Sequence, residues 1–259
     1  MTGPARLAWQ PAAVVGVRTE TYRVKTLTLR PAQWTPFRPG QHMDVRLTAP
    51  DGYQAQRSYS IATSPEQTGT FDLSVELIEG GEVSPFFHEV VRPGDVLEVR
   101  GPIGGPFTWT VHDGGPVLLV AGGSGIVPIM SMLRHRGWHK HSASGQAGRQ
   151  DNLPPALLLD SSRSDEDIIY REELDLMASN DASFQLFHTL TRRQPAGWPG
   201  YSRRVDLEMV TECVGRIGKP RFAFICGPTG FVEAAAVAAA GAGVSLGTVR
   251  TERFGPSGS

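Results

Sequence analysis

The sequence has few cysteines, no excess of charge of one sign and no long apolar run. Cys213 and Cys226 are its two cysteines, too few for a disulfide framework, a zinc quartet or a four-thiolate iron–sulfur cluster, and they favour a reducing, cytoplasmic location. Lysine and arginine total 25 against 26 aspartate and glutamate, so the net charge of -1 provides no global field for nucleic acid or an anionic membrane. The chain also lacks about 18 consecutive apolar residues and the apolar core of a signal peptide, so no membrane partner is expected. Because these absences disfavour nucleic acid and membrane partners, we expect a specific small-molecule site.

The first part of the chain is patterned as short strands. The 259 residues exceed the roughly 150 of a typical domain, which favours two domains or one large one. From residue 12 to about residue 111, alternating runs such as VKTLTL and VLEVR are separated by glycine and proline turns. This spacing predicts a small antiparallel barrel over residues 1–112. Ser84 followed by Pro85 predicts the N-cap and first position of one short helix within it.

After Gly114 and Gly115 the pattern changes to continuous apolar runs. PVLLVA, PALLLD, SFQLFHTL and RFAFIC are typical of strands buried on both faces, and helical stretches are predicted at 126–136, 165–178, 206–214 and 229–240. A polar loop is predicted over 137–152. Residues 113–259 are therefore predicted to form a doubly wound parallel-sheet domain with helices between the strands.

A glycine cluster follows the first buried strand of this second part. In VLLVAGGSGIVP, Gly122, Gly123 and Gly125 stand between a predicted strand and a predicted helix, where a pyrophosphate could approach the backbone and the helix N-terminus. The segment departs from the dinucleotide fingerprint, because Pro128 occupies the third glycine position and Asp160 lies well beyond the usual interval. A glycine turn needed only for packing is the alternative interpretation.

Seven short motifs occur in order along the chain, and the glycine cluster belongs to the fourth. They are QRSYSIATSP, GGEVSPFFHE, GPIGGPF, AGGSGIVP, SSRSDEDIIYREEL, CGP and TERF. Together they resemble the ferredoxin–NADP reductase family over nearly the whole chain. The resemblance implies a flavin-binding barrel followed by a nicotinamide-nucleotide domain, with FAD as cofactor and NADP as coenzyme.

The R-x-Y-S and G-x-V-S blocks of that family bind the flavin. The matching positions are Arg57, Ser58, Tyr59 and Ser60, then Gly81, Val83 and Ser84. An arginine can pair with phosphate, a tyrosine can stack on the isoalloxazine ring, and a hydroxyl can hydrogen-bond the flavin N5 edge. The alternatives are an ordinary alternating strand and ordinary helix capping.

The resemblance also implies which residues surround the reacting rings. The family's C-G-P block, whose cysteine lies beside the nicotinamide ring, matches Cys226, Gly227 and Pro228, and its terminal acidic and aromatic positions match Glu252 and Phe254. The predicted catalytic set is Ser60, Cys226 and Glu252. Cys226 as a simple packing residue is the alternative, and no metal site is expected.

Arginines near the predicted strand ends bear on the choice of coenzyme. Arg163 and Thr191 follow the second and third buried strands. The acid-free interval after the third strand contains a cluster suited to a 2′-phosphate, Arg192, Arg193, Arg203 and Arg204, of which Arg192 and Arg203 are the predicted ligands. Asp160 argues for NAD instead, because a carboxylate at a strand end can hold a free ribose hydroxyl. NADPH is the expected coenzyme, with NADH left open.

The expected activity is hydride transfer from NADPH to bound FAD, followed by electron transfer to a separate acceptor such as a ferredoxin. Two other functions stay open: a reductase of free flavin or quinone, and a non-catalytic nucleotide-binding subunit. The sequence also predicts a docking patch for an acidic electron carrier in the acid-free segment 114–150, where basic residues and histidines alternate. The patch consists of Arg134, His135, Arg136, His139, Lys140, His141 and Arg149. Nothing in the sequence indicates the oligomeric state.

Overall fold

A computed structural model of the chain describes residues 7–143 and 153–255. It contains a six-stranded antiparallel sheet followed by a five-stranded parallel sheet, which confirms the predicted fold class. The segment between Ile103, where the first sheet ends, and Val117, where the second begins, contains the predicted domain boundary at 112/113. Within the described residues, no helix is long and apolar enough to cross a membrane.

The first sheet has the strand order β4-β3-β6-β1-β2-β5. Its two edge strands meet through a single bridge between Ile61 and Leu73, so the sheet curls toward closure as a barrel. A six-residue helix, α1, connects the last two strands. The elements are β1 (Gln10–Thr21), β2 (Val24–Pro31), β3 (His42–Thr48), β4 (Gln54–Ser60), β5 (Phe71–Glu76), α1 (Ser84–Glu89) and β6 (Val96–Ile103).

The second sheet has the strand order β11-β10-β7-β8-β9, and every pairing in it is parallel. Its elements are β7 (Val117–Gly122), α2 (Ile126–Ala143), β8 (Ala156–Ser164), α3 (Arg171–Asn180), β9 (Phe184–Arg193), α4 (Leu207–Ile217), β10 (Phe222–Pro228), α5 (Thr229–Gly241) and β11 (Val249–Phe254). The fifth strand, β11, was not among the predicted strands; it carries the TERF block along the edge of the sheet.

Helices cover both faces of the parallel sheet, which explains its continuous apolar runs. Leu119 and Leu158 face the layer that includes α2 and α3, while Leu118 and Leu157 face α4 and α5. Because successive strand residues point to opposite faces, every residue of β7 is buried. The rule that ligands bind at the carboxyl ends of such strands then fixes where a site can form.

Three local predictions were wrong in detail. The N-cap of α1 is Val83 rather than Ser84, because the Ser84 hydroxyl instead accepts a hydrogen bond from the Ile78 amide at 2.9 Å. The predicted loop at 137–152 is helical up to Ala143, and residues 144–152 lie outside the described part. The helix predicted from residue 165 begins at Arg171, after a short 3-10 turn.

A buried polar interface joins the two domains. The Tyr170 hydroxyl hydrogen-bonds Ser74, which in turn bonds Thr26 on β2 at 2.6 Å. From α2, the Ser131 hydroxyl donates to the Thr63 carbonyl at 2.6 Å, and the Arg134 guanidinium donates to the Ala62 carbonyl at 3.0 Å. Buried polar groups of this kind stabilise the structure only when each finds its partner, so the interface fixes how the domains meet.

The predicted docking patch is wrong for Arg134 and Arg136. Arg136 is only 3% exposed and donates to the Pro154 carbonyl and the Asp181 carboxylate, while Arg134 pairs with Glu173 at 2.7 Å. These side chains face inward because α2 is a core helix, so they are not available to an electron carrier. His141 and Arg149 lie where no side chain is described.

Arg136→Ala should destabilise the protein by about 3–5 kcal/mol, because it leaves the Asp181 carboxylate without its buried partner. Lys140, which is partly exposed and also contacts Asp181 at 3.4 Å, provides the matched control. Lys140→Ala should cost no more than about 1 kcal/mol. Urea unfolding followed by circular dichroism measures both values, and equal small losses would contradict the buried role of Arg136.

Candidate functional site

A cleft of about 310 Å³ lies between the two sheets. One wall comes from the first domain, through Arg23 on the β1–β2 turn and Glu76 at the end of β5. The other wall comes from the carboxyl ends of the parallel strands. Six of the predicted site residues line the cleft: Gly122, Gly123, Arg163, Thr191, Pro228 and Phe254. The parallel strands end there, as ligand sites of open α/β sheets require.

The glycine turn after β7 opens its backbone toward the cleft. Gly123 has a φ of +55°, and a Cβ at this position would meet nothing within 4 Å. Gly125 serves another purpose, since its Cβ would lie 2.1 Å from the Cys226 carbonyl oxygen. Pro128 stands where the dinucleotide-binding fingerprint has its third glycine. It lies in the first turn of α2, where a proline is tolerated. The turn therefore offers both an accessible backbone and tight packing between β7 and β10.

Phe231 is a cleft residue that the sequence did not indicate. A Cβ on Gly122 or Gly227 would lie 2.7 Å or 2.6 Å from its ring, so the two glycines make room for this side chain. The C-G-P block thus shapes the cleft through Gly227 and Phe231 as well as through Pro228. An aromatic four residues after a strand-terminal glycine is the signal that could have identified it.

Of the three guanidinium groups that line the cleft, two come from the second domain: Arg163 in β8 and Arg204 after β9. Both are exposed, and neither forms a salt bridge with a described residue. Arg203, the residue predicted for this position, does not line the cleft, because its guanidinium pairs with Asp206 at 2.6 Å and Glu208 at 3.0 Å. Thr191 lines it and donates to the Ser162 carbonyl, while Arg192 is exposed at the end of β9 outside the lining.

Asp160 does not face the cleft. It is 2% exposed, and its carboxylate is hydrogen-bonded to His188 Nδ1 at 3.0 Å. The argument that Asp160 holds a ribose hydroxyl is therefore wrong, because the side chain is committed to a buried contact between β8 and β9.

The R-x-Y-S block lies on β4, an edge strand of the first sheet. Arg57 is 40% exposed and pairs with Glu82 at 3.3 Å. Tyr59 makes a perpendicular contact with Phe87 of α1, with ring centroids 5.5 Å apart, and burial raises the pKa of its phenol. Ser58 is committed to Asp44 at 2.7 Å, whereas Ser60 is the last residue of β4.

The G-x-V-S block forms a tight loop before α1. A Cβ on Gly81 would meet the Ile78 carbonyl oxygen at 2.8 Å and the Ser84 hydroxyl at 3.1 Å. Val83 is buried in the core of the first domain. Ser84 closes the loop through Ile78, so its hydroxyl has a structural partner already. Glu82, within the same loop, links it to Arg57 on β4.

Cys226 and Glu252 are register partners on the paired strands β10 and β11. Burial raises the pKa of the Cys226 thiol well above its ordinary value, so the residue remains a neutral thiol rather than a nucleophile. Burial also raises the pKa of Glu252 to about 7, and its Oε2 atom has no hydrogen-bond partner among the described residues. Ser60 lies on the other domain, and no described hydrogen bond joins it to either residue.

The second cysteine, Cys213, is a packing residue. It is fully buried on α4, and burial raises its pKa to about 12. It packs in the layer beneath the sheet, apart from the cleft.

An acidic residue on the first-domain wall of the cleft, Glu76, was also not predicted from the sequence. Glu76 accepts a hydrogen bond from Ser124 of the glycine turn at 2.9 Å and lies 3.9 Å from the Arg23 guanidinium. This contact joins the two walls of the cleft at its glycine-rich end. Its signal in the sequence was weak, because Glu76 simply ends an alternating strand.

Family models match both parts of the chain. Residues 12–108 match an oxidoreductase FAD-binding domain, and residues 119–236 match an oxidoreductase NAD-binding domain. The chain is 35% identical to a ferredoxin–NADP reductase B from Sorangium cellulosum over 249 residues, which cover 94% of this chain and 96% of the relative. It is 33% identical to a glycine betaine monooxygenase reductase subunit from Pseudomonas aeruginosa, with 94% of this chain covered but only 63% of the relative's length.

Solved structures share the same two-domain arrangement. A cytochrome P450 reductase from Amycolatopsis superposes with a TM-score of 0.78 at 23% identity, covering 96% of this chain and 71% of the other. A ferredoxin NADP+ reductase from Neisseria gonorrhoeae superposes with a TM-score of 0.77 at 18% identity, covering 95% and 98%. At these identities the superpositions establish the fold, and the full-length relative establishes the family. The chain belongs to the ferredoxin reductase family of FAD-dependent NAD(P)H oxidoreductases.

Proposed function

We propose that the protein oxidises NADPH and delivers the electrons, through bound FAD, to a separate redox protein such as a ferredoxin or an oxygenase component. The observation that carries this proposal is the cleft between the flavin and nucleotide domains, lined by a glycine turn and two unpaired arginines. The two cysteines of these 259 residues cannot ligate a plant-type iron–sulfur cluster, so these residues do not themselves hold such an acceptor. The relatives named as reductase subunits support the same class of partner.

The edge strand β4 and the loop before α1 fit a flavin. Arg57 and Tyr59 project from an unpaired sheet edge, and the Arg57–Glu82 ion pair is exposed, so a phosphate can replace Glu82 at little cost. We assign Arg57 to the flavin phosphate, Tyr59 to the ring system and Ser60 to its polar edge. Gly81, Val83 and Ser84 act by shaping the loop, and Ser58 by fixing β4 to β3 through Asp44. Bound FAD would supply the chemistry that converts a two-electron hydride donor into one-electron transfers.

The glycine turn and the arginines fit a phosphorylated dinucleotide. Gly123 lets a pyrophosphate reach the backbone at the start of α2, an 18-residue helix with a positive N-terminal end, while Gly122 and Gly125 allow the turn to pack closely against Phe231 and Cys226. We assign the 2′-phosphate of NADP to Arg163 and Arg204 in place of the pair predicted from sequence. Pro228, Gly227 and Phe254 would border the nicotinamide end, with Cys226 behind them as a small, neutral packing group.

Glu252 is the one residue of the predicted catalytic set that can exchange a proton near neutral pH. Its buried position holds its pKa at about 7, so at that pH both protonation states are populated. We assign Glu252 the role of holding a proton beside the cleft while electrons leave. Burial without a salt bridge is the physical arrangement that such a role requires.

The function is tested by measuring NADPH oxidation by the purified yellow protein with separate acceptors. Turnover with a ferredoxin or oxygenase component that greatly exceeds turnover with free flavin or quinone supports the proposal. Higher activity with free flavin or quinone favours the small-molecule reductase. A protein that binds nucleotide but turns over no acceptor would be a regulatory subunit.

Arg57→Ala should weaken retention of FAD about ten- to hundredfold, because it removes a charge-assisted contact worth about 1.5–3 kcal/mol. Arg216, which forms a comparable surface ion pair with Glu212 on α4, supplies the control Arg216→Ala. Glu82→Gln should retain FAD as well as or better than the wild type, since it frees the Arg57 guanidinium. The ratio of flavin to protein absorbance after dilution and desalting measures all three. If Arg57→Ala retains its full flavin content, the assignment of Arg57 to the flavin phosphate is wrong.

Replacing Arg163 and Arg204 together with alanine should lower kcat/KM for NADPH about tenfold or more while changing that for NADH little, because NADPH alone carries the 2′-phosphate. Arg203→Ala should leave the NADPH/NADH ratio unchanged, because its guanidinium is already paired with Asp206 and Glu208. Steady-state kinetics gives kcat/KM for NADPH and for NADH in the wild type and in each variant, and so tests whether Arg163 and Arg204 bind the 2′-phosphate. A wild type that prefers NADH would refute the choice of NADPH.

Glu252 should make the folded state less stable as pH rises from about 5 to 7. Its folded pKa of about 7 exceeds its ordinary 4.5, so the folded state binds a proton over that interval that the unfolded state has lost. The free energy of unfolding should therefore fall by about 2 kcal/mol across it and level off only above about pH 8, where the folded-state carboxyl has also lost its proton. Glu252→Gln should abolish this slope, while Glu233→Gln, at an exposed position on α5, should preserve it. Urea unfolding at a series of pH values measures the slopes.

A further inference from the structure

One carboxylate and three imidazoles form a cluster at the domain interface, outside the residues that line the cleft. Glu66 comes from the connection between β4 and β5, His112 from a 3-10 turn between the two sheets, and His135 and His139 from α2. We call these four residues the histidine cluster. They are contributed by the first domain, the linking segment and the second domain.

The ligand atoms of the histidine cluster lie close together. Glu66 Oε1 is 2.7 Å from His135 Nδ1 and 3.4 Å from His139 Nε2. The potential ligand atoms of Glu66, His135 and His139 are all within 4.8 Å of one another. The His139 ring centroid lies 4.6 Å from that of His135 and 5.5 Å from that of His112.

These donors suit a divalent transition cation. Imidazole nitrogen and carboxylate oxygen are standard ligands of zinc. An imidazole bound at about 2.0–2.1 Å has its ring centroid about 3 Å from the metal, so two rings in a tetrahedral site lie about 5 Å apart. The separation of His112 and His139 matches that spacing within the freedom of an exposed side chain.

The hydrogen bonds of His135 assign it a different role. The Val111 amide donates to His135 Nε2 at 3.2 Å, so the neutral ring carries its proton on Nδ1 and donates it to Glu66. A ring in this tautomer has no free lone pair for a cation. It can instead orient the Glu66 carboxylate, as outer hydrogen-bond partners do for metal ligands.

We propose that Glu66, His112 and His139 bind a divalent transition cation of the zinc type, with His135 as the positioning residue for Glu66. His139 is one-third exposed and His112 is exposed, so the cation enters from solvent and a water completes its coordination. Because the ligands come from both domains and the segment between them, the bound cation fastens the domains together. The site is independent of the proposed coenzyme and acceptor.

The test is equilibrium dialysis of the tag-free, FAD-loaded protein against ZnCl2, with bound zinc measured by elemental analysis. One zinc per chain is expected, together with a rise in Tm. His139→Ala should lower the affinity about a hundredfold and abolish the rise in Tm, and His112→Ala should lower the affinity at least about tenfold. Trp138→Ala, at the neighbouring exposed position on α2, should bind zinc as the wild type does.

CoCl2 provides a spectroscopic readout of the same site. Bound Co²⁺ should give ligand-field absorption at wavelengths longer than the flavin bands, which Glu66→Gln and His139→Ala should both remove. His135→Asn should weaken the binding of either metal about ten- to hundredfold while keeping the cobalt spectrum at saturation. Failure of the wild type to bind either metal, or wild-type affinity in His139→Ala, overturns the proposal and shows the cluster to be a hydrogen-bonded ion pair alone.

Discussion

The geometry of the cleft depends on a buried polar interface that holds the two sheets at a fixed separation. Tyr170 is its central residue: it adopts a φ of +60°, is 5% exposed, and reaches Ser74 of the first domain with its hydroxyl. A left-handed conformation is uncommon for a bulky residue and costs about 1–3 kcal/mol. The hydroxyl would lose a comparable amount if it were buried unpaired. Tyr170 therefore keeps this backbone conformation because any other would remove its side chain from the interface.

Arg134 extends the same interface into the second domain. Its guanidinium lies 5.0 Å from the centre of the Tyr170 ring, pairs with Glu173, and donates to the Ala62 carbonyl across the interface. These contacts constrain one another, because moving α2 would break bonds to a backbone carbonyl, a carboxylate and an aromatic face at once. Arg134 thus serves domain association and Arg136 the interior of the second domain, which is why their acid-free surroundings in the sequence pointed wrongly to a docking surface.

Pattern and spacing predicted the fold class and most elements, since alternation identifies a half-exposed sheet and continuous apolar runs identify a doubly covered one. The glycine turn, Arg163 and Phe254 were also predicted, because they belong to short local motifs. Within the predicted arginine cluster, Arg203 was chosen instead of Arg204: adjacent residues point to different sides, and only the local carboxylates Asp206 and Glu208 decide which one is engaged. Phe231, Glu76 and the histidine cluster depend on contacts between distant segments, for which the local signals in one sequence are weak.

The charges around the cleft differ between its two walls, and this asymmetry bears on how an elongated ligand would lie. On the first-domain wall, Arg23 is close to Glu76 and donates to the Leu77 carbonyl, so its charge is largely balanced. On the opposite wall, Arg163 and Arg204 have no acidic partner among the described residues. A ligand with phosphate at one end and an uncharged ring at the other gains most when its anionic end lies against the arginines. Its ring end then points toward Phe254 and Pro228, the part of the sheet beside Glu252 and Cys226. Asp167, a carboxylate on the same wall, accepts a hydrogen bond from the Ser164 hydroxyl at 2.6 Å, so the direction of such a ligand follows from the two arginines that have no acidic partner.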